Sequence, residues 1–323
     1  MYTIDDIQIF VTTHNRASLL KETLQSILAQ TVPIKNITVL DNESTDNTAE
    51  IVFQLKDRGV HYVHTTGFLG NFKKAQELVS RPYCMLFHDD DLLHLTYLEN
   101  ALKALNAYPN IALITTTHSA FANNSVPQMP SQVAPSHIFF TSPQKWAQYI
   151  YFCEGVSYAP AIYKSKALKE SSLEYEKFNK FNDWPLLAKM ALKGNVVYFT
   201  DKHFIYTRQH QGQDSNSLNF PTIQQIVNWD KLFYKLMGAN NKHLLLHYLY
   251  AWHNKHFLFG KLNVGKKLDD KHYTLAALTE CCKKENLPTW NFNTKPFKWL
   301  FLPFLKHLER HFLSQITSTW PIK

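Results

Sequence analysis

Four short apolar runs, each closing on polar residues and each separated from the next by an amphipathic stretch, constrain this chain more than any other feature. The runs are IQIFVTT (7–13), NITVLD (36–41), VHYVH (60–64) and YCMLFH (83–88). They are rich in β-branched and aromatic residues without polar alternation, the pattern of strands buried on both faces. Between them, residues 18–30 place Leu20, Leu24, Ile27 and Leu28 at i, i+4, i+7 and i+8. Similar stripes run over 48–56, preceded by the cap candidates Ser44, Thr45 and Asp46, and over 68–80. Strand and helix in alternation predict an α/β fold: a mostly parallel sheet, wound right-handedly, with helices on both faces.

Such a sheet binds ligands beyond the carboxyl ends of its strands. The residues that follow each run are THNR (13–16), DNESTD (41–46), TTGFLGNFKKA (65–75) and HDDD (88–91), so four polar strand ends feed one crevice. In FHDDDLL (87–93) three carboxylates stand in a row directly after an apolar strand. Adjacent like charges repel unless water or a cation takes up the field, and we read the triplet as a cation site. The stretch GFLGNFK lacks the G-x-x-x-x-G-K-[ST] spacing of a P-loop, so no ATPase is expected.

Beyond the fourth run, residues 121–136 read as a loop able to close over a ligand, followed by a helix over 184–193 ended by Gly194 and a strand over 196–200. From residue 221 the periodicity is helical throughout, which sets a boundary near 220 between a domain of 1–220 and an all-α region of 221–323. The net charge of +8 is concentrated there: 221–323 carries 15 Lys+Arg against 6 Asp+Glu, leaving 19 against 20 for the rest. A one-sided basic surface implies an anionic partner. The segment 295–323 interleaves Lys and His with Trp299, Phe301, Phe304 and Leu305, as a helix lying in a lipid headgroup layer does. With no recognition motif beside the charge, nucleic acid is not expected. His243 and His247 lack the Glu of a zinc-protease helix.

No window reaches the roughly 18 apolar residues of a membrane span, and Asp5 and Asp6 stand where a secretory signal would be basic. A cytoplasmic protein is expected, peripheral at the inner face of the membrane through 295–323. Cys84, Cys153, Cys281 and Cys282 show no metal or redox spacing and read as packing residues.

The series VTTHNRASLLKETLQSILAQ, ITVLDNESTDNTAEIV and LFHDDDLL resembles, in order and spacing, the nucleotide-sugar half of the inverting family 2 glycosyltransferases with the GT-A fold, over about 7–215. The resemblance implies a nucleotide diphosphate sugar donor, a UDP-sugar foremost, and a glycan or lipid-linked acceptor of surface polysaccharide or lipopolysaccharide assembly. It implies a divalent Mn²⁺ or Mg²⁺ bridging the diphosphate. Asp89, Asp90 and Asp91 supply its carboxylates, with His88 in the place of the family's first acid; the spacing leaves open which two touch metal. By the same resemblance Asp41 meets the base, Thr13, Asn15 and Arg16 lie beside base and phosphates, and Asn71 and Lys73 belong to a helix start facing the nucleotide. Asp89 and Asp90 also count among the nucleotide contacts. Asp183 in FNDWPLL corresponds to the catalytic base, with Asn182 replacing the usual partner acid; it is equally placed to cap the following helix. Arg208 corresponds to a phosphate partner and His210 to a metal ligand. The competing readings are a scaffold that kept the nucleotide fold without turnover, and a nucleotidyltransferase, which would want a glycine-rich basic loop where this chain has THNRASLL.

Overall fold

The first four runs do form parallel strands, and their order in space sets the site. In the computed structural model, which describes residues 1–67, 69–122, 126–131, 133, 136–152, 155–213, 221–238 and 275–289, they are β1 (Ile7–Thr13), β2 (Ile37–Asn42), β3 (Val60–Thr65) and β4 (Tyr83–His88). β1 lies between β2 and β4, pairing Thr13 with Asp41 and Thr12 with His88, and β2 in turn pairs Asp41 with His64. The carboxyl ends are therefore level, and the polar residues after them share one rim.

The sheet has eight strands in the order β3-β2-β1-β4-β9-β6-β10-β8. Its second half comprises β6 (Ile111–Thr116) and β10 (Asn195–Phe199), which are parallel to each other, with β9 (Ile162–Lys164) and β8 (His137–Phe140) running antiparallel to their neighbours. A second sheet, β5 (Leu92–Leu93), β11 (Ile205–Gln209) and β7 (Ser119–Ala122), was not anticipated. Strands this short carry no period to read.

Alternate strand residues feed two cores, as a pleated backbone requires. Ile9, Val11, Met85 and Phe87 face one, covered by Leu20, Leu24 and Ile27 of α1 (Ala17–Leu28) and by Val52 of α2 (Thr48–Phe53). Tyr97, Leu98 and Ala101 of α4 (Tyr97–Ala107) complete that cover. Phe10, Leu40 and Leu86 face the other, under Phe72 and Ala75 of α3 (Gly70–Leu78), Trp146 and Ile150 of α5 (Pro143–Phe152), and α6 (Ser165–Lys169). Each such side chain contributes about 1.5–3 kcal/mol when removed from water.

After the single turn α7 (Tyr175–Phe178) comes α8 (Asp183–Met190). Asp183 is its first residue, and Asn182 takes the cap position. The helix stops well before Gly194, whose expected role as its terminator is corrected: a Cβ there would lie 2.5 Å from the Asn110 carbonyl oxygen, so glycine serves a close chain approach into β10. Of the cap candidates before α2, the cap position falls to Asn47, while Asp46 accepts from the Thr48 N–H and hydroxyl. In the C-terminal region, α9 (Ile223–Met237) and α10 (Leu275–Lys284) bury Ile226, Val227, Phe233, Leu278 and Cys282 in the same core as Trp146 and Leu186. Cys84 is likewise a buried free thiol. No helix among the described residues is long and apolar enough to cross a membrane. The segment 295–323, His243, His247 and Cys153 lie outside the described residues, as does part of the 121–136 loop.

Candidate active site

At the end of β2, Asp41 is buried with both oxygens engaged: the Tyr62 hydroxyl donates to Oδ2 at 2.7 Å and the Ser44 N–H to Oδ1 at 3.1 Å. Desolvation, then the Asp41 contact and charge, push the Tyr62 phenol up to about 12, so it remains a neutral donor. Asn15 knits the first two strand ends together, its N–H donating to Ser44 Oγ and its Oδ1 accepting from the Thr45 N–H, both at 2.7 Å. Its φ of 51° is left-handed, a region Asn tolerates better than most residues. Asn71, on the first turn of α3, accepts from the Thr65 hydroxyl, while Lys73 stands exposed on the same helix, without a side-chain hydrogen bond or ion pair among the described residues.

The acidic corner is held from below. Thr23 on α1 brings its hydroxyl within 2.8 Å of the carbonyl oxygens of both Asp89 and Asp91, fixing the turn between β4 and β5. All three aspartates are buried. Asp89 turns inward, accepting from the Thr13 hydroxyl at 2.7 Å and from Arg16 Nη1 at 3.1 Å. The same Nη1 lies 3.3 Å from Asp90 Oδ2, which also meets His210 Nε2 at 3.0 Å.

β11 supplies the roof, because its antiparallel pairing with β5 carries Arg208 and His210 over the triplet. The Arg208 N–H donates to Asp91 Oδ1, its Nε to the Asp90 carbonyl at 2.9 Å, and its Nη2 to Glu22 Oε2 at 2.6 Å. The guanidinium is 1 % exposed and lies 4.7 Å from the Phe121 ring centre. Glu22, Tyr62 and Phe121 were not legible as site residues.

Among the described residues four acids thus meet two guanidiniums, an excess of two acids over fixed cations. Burial raises the pKa of Asp89 against the pull of Arg16 and Thr13. Burial also pushes Asp91 up to about 7, Asp90 and Asp89 adding to the shift while His88 and the Arg208 N–H oppose it. A divalent cation would offset that excess of acids. The donor set fits one: a ligand atom each from His88, Asp90 and Asp91 gather within 4.8 Å of one another.

Asp183 forms a third corner. Its carboxyl is raised above the ordinary range by burial, opposed by its own N–H and by His88. The neutral phenol of Tyr158, raised far above its usual pKa by burial and by Asp183, stands nearby and packs on the His88 ring at 5.8 Å. Asp183 makes no ion pair among the described residues. His88 therefore sits between the acidic corner and Asp183.

The glycosyl transferase family 2 profile matches residues 8–171. The chain belongs to that family. It is a glycosyltransferase with the GT-A fold, and the fold is shared with TarS of S. aureus at low identity. Residues 1–349 of TarS in complex with UDP-GlcNAc superpose with a TM-score of 0.62 at 19 % identity, covering 95 % of this chain and 87 % of that one. The same fragment alone gives 0.57 at 18 %, covering 86 % and 81 %. Against the longer TarS chain the score is 0.58 at 19 % identity, covering 95 % of this chain and 53 % of that one. No curated protein matches the sequence.

Proposed function

We propose that this glycosyltransferase moves a sugar, with inversion, from a nucleotide diphosphate donor of the uridine type to a glycan or lipid-linked acceptor in surface polysaccharide or lipopolysaccharide assembly. The observation that carries the reading is the meeting on one rim of three differently built carboxylate corners. The uridine donor is further supported by the UDP-GlcNAc complex of TarS. Asp41, oriented by Tyr62 and Ser44, takes the base edge. Thr13, Asn15, Asn71 and Lys73 border the nucleoside and phosphates. Arg16, partly exposed, offers its guanidinium to the diphosphate, while Arg208 beneath holds the triplet in shape.

A Mn²⁺ or Mg²⁺ held by the acidic corner, from Asp89, Asp90 and Asp91 with the imidazoles beside them, would neutralise the diphosphate as it leaves. Asp183 takes the proton of the acceptor hydroxyl as that oxygen bonds to the anomeric carbon and the bond from that carbon to the diphosphate oxygen breaks. Its raised pKa suits a base that must hold the proton briefly. A cytoplasmic enzyme held at an anionic membrane by 295–323 would meet lipid-linked acceptors there.

Incubating the purified chain with Mn²⁺ and a panel of nucleotide sugars tests this. Slow release of free nucleoside diphosphate from a uridine donor is expected, and its loss in Asp91→Ala. No release with any donor would overturn the reading in favour of a scaffold.

A further inference from the structure

We infer that His88 is a nitrogen ligand of the divalent ion and that it makes the site prefer Mn²⁺ and Co²⁺ to Mg²⁺. The inference rests on the proposed metal site and concerns its ligand set. Of the three carboxylates, Asp89 is spent on Thr13 and Arg16. What faces the ion is then Asp90, Asp91 and a ring nitrogen of His88, all within 4.8 Å.

Three details favour occupancy by metal over a hydrogen-bonded cluster. His88 Nδ1 stands 3.8 Å from Asp91 Oδ2, too far for a hydrogen bond yet near enough for one ion between them to reach both. Among the described residues Asp91, though only 3 % exposed, has no donor within hydrogen-bond distance of that oxygen, and Asp90 Oδ1 likewise has none. The His88 side chain is 45 % exposed, so an ion can reach it, yet its ring is steadied against Tyr158 at 5.8 Å.

The chemical consequence follows from donor type. Mg²⁺ demands oxygen and near-ideal octahedral geometry, and an imidazole in place of a carboxylate lowers both oxygen count and charge. Imidazole binds first-row divalent ions in rising order from Mn²⁺ to Co²⁺, so the substitution at position 88 favours them over Mg²⁺. His210, on the far side of Asp90 beside Arg16, is outside the three-ligand group.

Calorimetry of the full chain with MgCl2, MnCl2 or CoCl2 alone, and pulsed electron paramagnetic resonance of the Mn²⁺-loaded protein, test this. Wild type should bind Co²⁺ and Mn²⁺ at least about tenfold tighter than Mg²⁺ and show nitrogen coupling to Mn²⁺. His88→Asp should lose the coupling and bring Mg²⁺ to near parity, with an unchanged unfolding temperature range showing that it folds. His210→Gln should keep the coupling. Metal binding without nitrogen coupling, coupling that persists in His88→Asp, or an unchanged ion preference would overturn the role of His88 alone. No binding of any ion by wild type would remove the metal site and this inference together.

Discussion

Asp91 and Asp183 both carry carboxyls that burial has pushed above the ordinary range, yet their neighbours differ in kind. Asp91 belongs to a crowd: two further acids beside it, Arg208 donating to it through the backbone, Arg16 and His210 fastened to Asp90. Asp183 has tyrosines and one imidazole near it and no ion pair among the described residues. A carboxylate in a crowd of fixed cations is organised to hold charge in place. A carboxylate left without a cation is organised to change charge, because nothing prevents it from taking up a proton. His88 stands between the two corners, and separating binding from turnover tells them apart.

The largest expected effect is that of Asp183→Asn. Loss of a positioned base costs about 10²–10⁴ in rate, and here the donor and metal affinities should stay near wild-type levels because, among the described residues, no hydrogen bond or ion pair joins Asp183 to the acidic corner. Steady-state rates combined with calorimetry of UDP and Mn²⁺ check this. A variant that loses donor affinity along with rate would join the two corners into one unit.

Asp91→Asn should do the reverse, losing the response to metal while stabilising the metal-free protein. The sign follows from proton counting. With the folded carboxyl at about 7 against an ordinary 3.8, the folded state holds a proton that the unfolded chain has released, so stability falls as pH rises between those values. Above about 7 the penalty is complete. Removing the charge should raise stability by about 1–3 kcal/mol at pH 8 and by almost nothing near pH 4. The amide keeps an oxygen for the Arg208 N–H. Thermal unfolding at the two pH values reads the difference, and equal stabilisation at both would show that charge is not the cause.

As the proposed base, Asp183 would have to be ionised to accept a proton, so the rate should fall as pH drops through its raised pKa. The acid limb of the profile should therefore lie above the usual carboxylate value of about 3.9. A limb at or below that value would mean that the base sits in water during turnover.

The acidic corner was legible because a parallel sheet brings strand ends together in a known way, and Thr13, Asp41 and the triplet all lie at or just past the ends of strands with apolar runs. What escaped the sequence is what tertiary structure alone supplies. Arg208 meets Glu22 across 186 residues through a β11 of five residues, and the paired β5 has two, too short to show a period. His88 reads as a substitution in a motif, and its place between Asp91 and Asp183 emerges only when Tyr158 packs on its ring. Asp183 was singled out by the family resemblance, with capping of the next helix as the other reading; its position as first helical residue and not as cap depended on the turn at Asn182.

The smallest effect marks where binding ends. Tyr62→Phe removes the 2.7 Å hydrogen bond to Asp41 Oδ2 and leaves the Ser44 N–H on the other oxygen. The ring itself packs within 5.5 Å of Phe53, so the fold should be kept. A lost hydrogen bond to a charged acceptor is worth about 1.5–3 kcal/mol, less where water replaces the donor, and β3 is an edge strand that water can reach. The KM for the donor should therefore rise about three- to tenfold with kcat unchanged, the signature of binding shared by ground and transition states. If kcat fell and KM held, Asp41 would act on the reacting centre through the bound nucleotide, and the division between a holding side and a reacting side would have to be redrawn to include it.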